Sequence, residues 1–195
     1  MDAFQKELID FKGVKDILEA DERKCLIQAG KTGEQYWYRM FIRSFFAHVE
    51  GISNKLKTHA LLWNQNNNLE KLTIGELAII NEESYSLKSN GKVITHPSFN
   101  STDKTLRFAI NVFTKVHDVN FEWNLGEDQR WNDFKDSIKI RNRMTHPKKA
   151  KELEFSQEEG DKLFRAHNWF IETITKATNM VNEKYLATKK QEENK

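Results

Sequence analysis

Apolar residues recur every three or four positions along most of the chain, which is the spacing of amphipathic helices. The first such segment covers residues 3–28 and is followed by the glycine-containing stretch AGKTG, residues 29–33. The clearest segment covers residues 34–65. At about 100° per residue, its apolar side chains fall on one broad stripe of a helix. The stripe comprises Trp37, Met40, Phe41, Ser44, Phe45, His48, Ile52 and Leu56, and the opposite side carries Arg39, Arg43, Glu50 and Asn54. We predict two long helices separated by a break near residues 29–33.

Capping signals and apolar spacing predict four more helices. Thr73–Glu76 and Ser156–Glu159 both have the Ser/Thr-x-x-Glu spacing of a capping box, which predicts a helix start at each. Two further helices are predicted, one from a cap at residues 101–103 to residue 119, and one led by residues 126–128. The charged segment 189–195, KKQEENK, is predicted to be a flexible tail.

One segment departs from the helical spacing. Residues 85–99, YSLKSNGKVITHPSF, contain Asn90-Gly91 between two short mixed runs. Asn-Gly is a strong hairpin signal because it supplies the positive φ angles of a tight turn. We therefore predict an all-α fold, an antiparallel helical bundle formed as a single domain by residues 1–188, with a small β-hairpin or loop inserted near 85–99.

Composition narrows the class of protein. The 195 residues are 38% hydrophobic and carry a net charge of +2, so there is no global basic field and any contact with nucleic acid must be local. Cys25 is the single cysteine, which excludes an intrachain disulfide and a cysteine-based zinc site. The histidines do not fall at metal-ligand spacing, so we predict neither metal nor cofactor. The first residues do not resemble a signal peptide, and no apolar run approaches about 20 residues, so we expect a soluble, cytoplasmic protein.

Two arginine–histidine pairs have the same spacing, Arg43 with His48 and Arg141 with His146. Spacing alone therefore carries little information. Residues five apart on a helix point about 140° away from each other, so the first pair, in mid-helix, cannot hold one small group. We interpret His48 as a core histidine with a satisfied hydrogen bond.

The second pair has a different context. Pro147 disfavours the helical conformation of the residue before it, so the helix should end near Thr145 or His146 and leave the histidine free to turn. Arg141 continues the line of Phe134 and Ile138 on the apolar stripe. A charge in that position is costly without a partner, so we expect it to face a cleft, a subunit interface or an anion.

These residue types suit phosphate chemistry. A guanidinium binds phosphate through two parallel hydrogen bonds, and an imidazole can accept or donate a proton near neutral pH. Together they can cleave RNA without a metal, by attack of the ribose 2′-OH on its own phosphate. The other interpretation is an ordinary helix end, at which Arg143, His146, Lys148 and Lys149 complement the helix dipole. The residues alone leave both interpretations open.

The stretch Arg141-Asn142-x-x-x-His146-Pro147, after an apolar helix, resembles the R-x4-6-H motif of the higher eukaryotes and prokaryotes nucleotide-binding (HEPN) superfamily. The order of WYRMFIRSFFAHVEG, LTIGELAII, SLKSNGKVITHPSF and WNDFKDSIKIRNRMTHP is similar to a group of stand-alone bacterial HEPN proteins. The resemblance covers about residues 37–174. It implies a helical bundle that usually forms homodimers, with one motif from each subunit lining a shared cleft.

Many members of that superfamily are metal-independent endoribonucleases in toxin–antitoxin, phage-defence or stress systems. The resemblance thus implies that Arg141 and His146 form a catalytic pair, with Asn142 as its polar companion. Some members add a residue from an earlier helix, and Glu50 is our candidate because it shares a face with Arg39 and Arg43. An exposed ion pair between Glu50 and one of those arginines is the alternative.

The basic residues near the motif, Arg143, Lys148 and Lys149, are candidate RNA contacts, and Arg43 is a candidate supporting residue. Other members of the superfamily are binding modules without known nuclease activity. Two alternatives therefore stand beside a homodimeric endoribonuclease: a non-catalytic module that binds a nucleotide, RNA or a cognate antitoxin protein, and a purely structural helical domain.

Overall fold

Six helices and one two-stranded hairpin are found in the computed structural model, which describes residues 3–123, 125 and 128–193. In chain order they are α1 (Ala3–Thr32), α2 (Gln35–Asn66), α3 (Ile74–Ile80), β1 (Glu83–Leu87), β2 (Val93–Pro97), α4 (Thr102–Val116), α5 (Gln129–Thr145) and α6 (Gln157–Glu193). The prediction of an all-α bundle with a small hairpin is confirmed. Of the segment predicted to lead into α5, residues 126 and 127 lie outside the described residues.

The first two helices form an antiparallel pair. Gly33, with φ of +66°, ends α1 by adopting a left-handed conformation that residues with a Cβ atom rarely take. Contacts along the pair run in opposite directions, from Cys25 with Ser44 to Lys55 with Glu7. Since α2 also contacts α4, α5 and α6, it is the central helix of the bundle.

The last two helices form a second antiparallel pair. Ion pairs join Arg130 to Glu172, Asp133 to Arg165 and Arg143 to Glu159 along their length. Between the two pairs lies an aromatic core that contains the fully buried rings of Phe45, Phe46, Phe134 and Phe170. Burying such rings supplies much of the free energy that holds α5 and α6 against α2.

Local chemistry sets most of the helix ends. Both predicted capping boxes form, with reciprocal side-chain and backbone hydrogen bonds at Thr73–Glu76 and at Ser156–Glu159. The end of α4 was predicted at residue 119, but the helix ends at Val116, because Asp118 takes a positive φ of 55° and turns the chain away. At the C-terminus, α6 extends through Lys189 to Glu193, and the last two residues of the predicted tail lie outside the described part of the chain.

The hairpin has a longer turn than its Asn-Gly sequence predicts. Leu87 pairs with Val93, and the amide of Gly91 donates to the carbonyl of Lys88. Gly91 has a φ of +76°, whereas Asn90 is not among the residues with positive φ. This geometry matches a type I turn followed by a glycine bulge, instead of the two-residue turn that needs two positive φ angles.

Candidate functional site

The C-terminal end of α5 carries the predicted motif. The helix ends at Thr145, as predicted from Pro147, and His146 leaves helical geometry with φ of −126° and ψ of 56°. The amide of His146 still donates to the carbonyl of Asn142 over 3.1 Å. Its side chain is exposed, and no described residue forms a hydrogen bond or ion pair with the imidazole. The ring is therefore accessible to a ligand.

Arg141 is held in place by groups of its own chain. Its Nη2 donates to Oε1 of Glu50 over 2.6 Å, and its Nη1 donates to Oδ1 of Asn142 over 3.1 Å. The guanidinium carbon lies 6.0 Å from the ring centroid of Phe46, within the range of a cation–π contact. The side chain remains 29% exposed, so these contacts orient the guanidinium without enclosing it.

Three of the predicted site residues therefore meet, since Glu50, Arg141 and Asn142 form one hydrogen-bonded group. The partner of Glu50 is Arg141, ninety-one positions away in sequence, and not one of the arginines on α2. Phe46 was not predicted as part of the site. Its position four residues before Glu50 on the same helix is the signal that places it beneath the arginine.

The two arginines of α2 have different surroundings. Arg39 donates from Nη1 to the carbonyl of Leu153 over 3.2 Å. Arg43 is exposed, and no hydrogen bond or ion pair joins its side chain to the rest of the described chain. Because it lies seven residues before Glu50, two helical turns away, it faces the same side of α2. Arg43 thus adds an uncompensated positive charge beside the site.

Hydrogen bonds hold the segment after His146 in place. The amide of Lys148 donates to a carboxylate oxygen of Glu152 over 2.7 Å, just before a short 3₁₀ turn, Ala150–Leu153. The side chain of Gln35 exchanges two hydrogen bonds with the backbone of Phe155, over 2.9 and 2.6 Å. These bonds hold the connection between α5 and α6 against the start of α2. They therefore restrict the backbone that follows His146.

The three predicted RNA contacts differ in their surroundings: Arg143 forms an ion pair, whereas Lys148 and Lys149 form none within the described part of the chain. Arg143 pairs with Glu159 over 3.0 Å and donates to the carbonyl of Glu154 over 3.2 Å, so its guanidinium helps to anchor the start of α6. Lys148 and Lys149 are exposed. The two lysines are consequently the cations next to His146 that have room to contact a ligand.

The other pair with the same spacing is separated as predicted. His48 is 1% exposed, and its Nδ1 lies 2.6 Å from Oε2 of Glu22, which confirms the interpretation as a core histidine with a satisfied hydrogen bond. The second carboxylate oxygen of Glu22 lies 2.6 Å from Nε2 of His167. Burial raises the pKa of Glu22, but its contacts with His167 and His48 outweigh burial and hold that pKa below its usual value.

No known protein family, curated protein or solved structure matches this chain. Within the described residues, no group of three or more histidine, cysteine or carboxylate side chains is arranged to hold a metal ion. In the same part of the chain, no helix combines the length and the apolar character needed to cross a bilayer. A functional assignment therefore depends on the site residues themselves.

The arrangement has two chemical capacities. The oriented guanidinium of Arg141 can bind an anionic oxygen on its exposed side, and the accessible imidazole of His146 can transfer a proton. Both side chains leave from the last two turns of one helix. The anion-binding group and the proton-transferring group therefore lie five positions apart in sequence, at the end of one helix.

Proposed function

We propose that this protein is a metal-independent endoribonuclease of HEPN type that acts as a homodimer. The observation that carries the proposal is the contrast between two side chains at one helix end. Arg141 is oriented by Glu50, Asn142 and Phe46, whereas His146 is exposed and has no bonded partner in the described chain. An oriented guanidinium beside an accessible imidazole is the combination that phosphate binding and proton transfer require.

The proposed reaction is an internal transfer within RNA. The ribose 2′-oxygen attacks the adjacent phosphorus as its proton passes to an imidazole, and the bond from phosphorus to the 5′-oxygen of the next nucleotide breaks. The departing oxygen takes up a proton, so the products carry a 2′,3′-cyclic phosphate and a 5′-hydroxyl. The guanidinium of Arg141 would stabilise the negative charge that develops on the phosphate oxygens.

The reaction needs two proton transfers, which supports the participation of a second copy of the chain in the site. One group must accept a proton from the 2′-OH while another supplies a proton to the leaving oxygen. The site has one accessible histidine, His146, and a two-fold assembly would bring its symmetry mate to the same phosphate. Lys148, Lys149 and Arg43 would contribute positive charge along the path of the RNA backbone.

The Glu50–Arg141 ion pair has a consequence for substrate binding. A phosphate that approaches Arg141 meets a guanidinium with one carboxylate already bound at 2.6 Å. Because Glu50 is 47% exposed, it can share the guanidinium, with the phosphate taking the donors that Glu50 leaves unused. The same ion pair favours the second candidate function, a non-catalytic module for RNA or a partner protein, in which a neutralised arginine serves as a contact surface.

Cleavage in the presence of EDTA tests the proposed function. We expect wild-type protein to cleave single-stranded RNA with excess EDTA present, and to leave a 2′-O-methylated RNA of the same sequence intact because the nucleophile is blocked. Gel analysis of end-labelled RNA measures both. Activity that disappears with EDTA would contradict the metal-independent mechanism, and a protein inert towards a broad panel of RNA would support the non-catalytic module.

A further inference from the structure

A second candidate site lies where the ends of α2, α4 and α6 meet. There the surface encloses an open cavity of about 390 Å³. Its walls include two aromatic side chains, one imidazole and three lysines: Trp63, Tyr185, His117, Lys71, Lys184 and Lys189. The volume falls in the range of pockets that hold small organic ligands.

The aromatic side chains form a continuous group. Trp63 lies 4.5 Å from His117 and 6.5 Å from Tyr185, between ring centroids, and its contact with Tyr185 is edge to face at 78°. On its inner side, the Trp63 ring is parallel to His59 within 7°. Tyr185 is 43% exposed, so part of its ring is available to a planar ligand. Aromatic side chains that combine firm packing with partial exposure are suited to stacking against a nucleobase.

The two histidines behind Trp63 are neutral at physiological pH. Their Nε2 atoms lie 3.0 Å apart, so the N–H of one ring donates a hydrogen bond to the unprotonated nitrogen of the other. Burial lowers the pKa of His59 to about 4, and burial with the neighbouring His59 and Lys71 lowers the pKa of His117 to about 4. Positive charge at the cavity therefore comes from the lysines and not from the histidines.

Lysines outnumber carboxylates among the described residues that line the cavity. Lys71 donates to the carbonyl of Val116 over 3.0 Å and pairs with Asp118 over 2.7 Å, which fixes its ammonium at the rim. Lys189 lies over the Tyr185 ring, with its ammonium 5.2 Å from the ring centroid. Lys184 is exposed and forms no ion pair with any described residue. Among the described residues that line the cavity, three lysines accompany one carboxylate, Asp118, and this composition favours an anionic ligand.

This cavity is separate from the site at Arg141. Trp63 follows Glu50 by thirteen positions on α2, which is about 20 Å along the helix axis at 1.5 Å per residue. At about 100° per residue, the two side chains also point about 140° apart around the helix. One short straight strand of RNA therefore cannot occupy both sites at once.

We propose that this cavity binds a nucleotide, with the base stacked on the exposed part of Tyr185 and its edge towards Trp63, and the phosphate groups bound by Lys184 and Lys189. A base and a phosphate joined by a sugar match the combination of rings and ammonium groups in one pocket. The nucleotide is either a free molecule or one unit of an RNA strand. The proposal does not depend on RNA cleavage at Arg141.

Calorimetric titration with ADP tests the proposal. We expect ADP to bind the full chain, and we expect Tyr185→Ala to weaken binding about tenfold through loss of stacking. Lys184→Glu should weaken binding by a similar factor because it reverses a charge at the phosphate position. Tyr36→Ala is the matched control, since Tyr36 is 52% exposed but lies at the opposite end of α2. Ribose 5-phosphate, which lacks a base, should bind more weakly than ADP.

Further titrations identify the source of the nucleotide. A short single-stranded RNA that displaces ADP would assign the cavity to a strand, and one that does not would assign it to a free nucleotide. ADP binding that is absent, or equal in wild type and Tyr185→Ala, overturns the proposal. An Arg141→Ala/His146→Ala double variant should bind ADP like wild type. If that variant loses ADP binding, the nucleotide occupies the Arg141 site and the cavity proposal fails, while the proposed nuclease function is unaffected.

Discussion

Replacing His146 with alanine is expected to reduce the rate of RNA cleavage by a factor of about 10² to 10⁴, the contribution typical of a group that transfers protons. The imidazole is exposed and has no bonded partner among the described residues, so its removal should leave the fold intact. Single-turnover cleavage of a labelled RNA measures the rate, and circular dichroism with a thermal unfolding curve checks the fold.

The chain contains a matched control for this variant. Thr95-His96-Pro97 repeats the sequence Thr145-His146-Pro147, and His96 is likewise exposed, but it lies on β2 and hydrogen-bonds to Ser86 over 2.8 Å. His96→Ala should therefore cleave RNA at the wild-type rate. Equal activity in wild type, His96→Ala and His146→Ala would remove His146 from the mechanism and would favour the helix-end interpretation of the motif.

Replacing Glu22 with alanine is expected to lower the free energy of unfolding by about 3–5 kcal/mol, the usual cost of removing one partner from a buried charged group. Glu22 is 2% exposed and contacts His48 from α2 and His167 from α6, so its carboxylate joins three helices. Its loss leaves Nδ1 of His48 without its hydrogen-bond partner, removes the contact with His167 and opens a cavity between the two rings. The midpoint of urea unfolding at pH 7 measures the effect.

Glu19→Ala is the control for this second prediction. Glu19 lies one turn earlier on α1, its side chain is 32% exposed, and it forms an i,i+4 pair with Lys15. Such pairs contribute about 0.3–0.5 kcal/mol, so the urea midpoint should barely move. A Glu22→Ala midpoint close to that of Glu19→Ala would show that the carboxylate does not hold α1 to the bundle.

Features that depend on a few neighbouring residues were predicted well from the sequence. Pro147 predicts the end of α5, and both Ser/Thr-x-x-Glu spacings predict helix starts, because each involves a backbone effect within about four residues. The predicted burial of His48 also follows from its place on the apolar stripe of α2. In these cases the period of the helix and the chemistry of its ends determine the outcome.

Features that depend on distant contacts were not predicted. Nothing near Glu22 in the sequence indicates that it meets His48 and His167, since those residues come from other helices. Similarly, Arg143 was predicted as an RNA contact, yet its guanidinium pairs with Glu159, whose predicted role was only the capping box. Glu50 and Arg141 were predicted to belong to one site, but a direct hydrogen bond between them was not predicted. That bond forms because α5 packs on α2.

We propose that one chain supplies half of a catalytic site, and a mixed dimer tests this composite site most directly. Wild-type and His146→Ala chains with different affinity tags can be co-expressed, and two successive affinity steps isolate the dimer that holds one of each. We predict that this mixed dimer cleaves RNA at well below half the rate of the wild-type dimer, because both histidines are needed at one phosphate. A rate of half the wild-type value, or failure of the two chains to co-purify, would contradict the composite site.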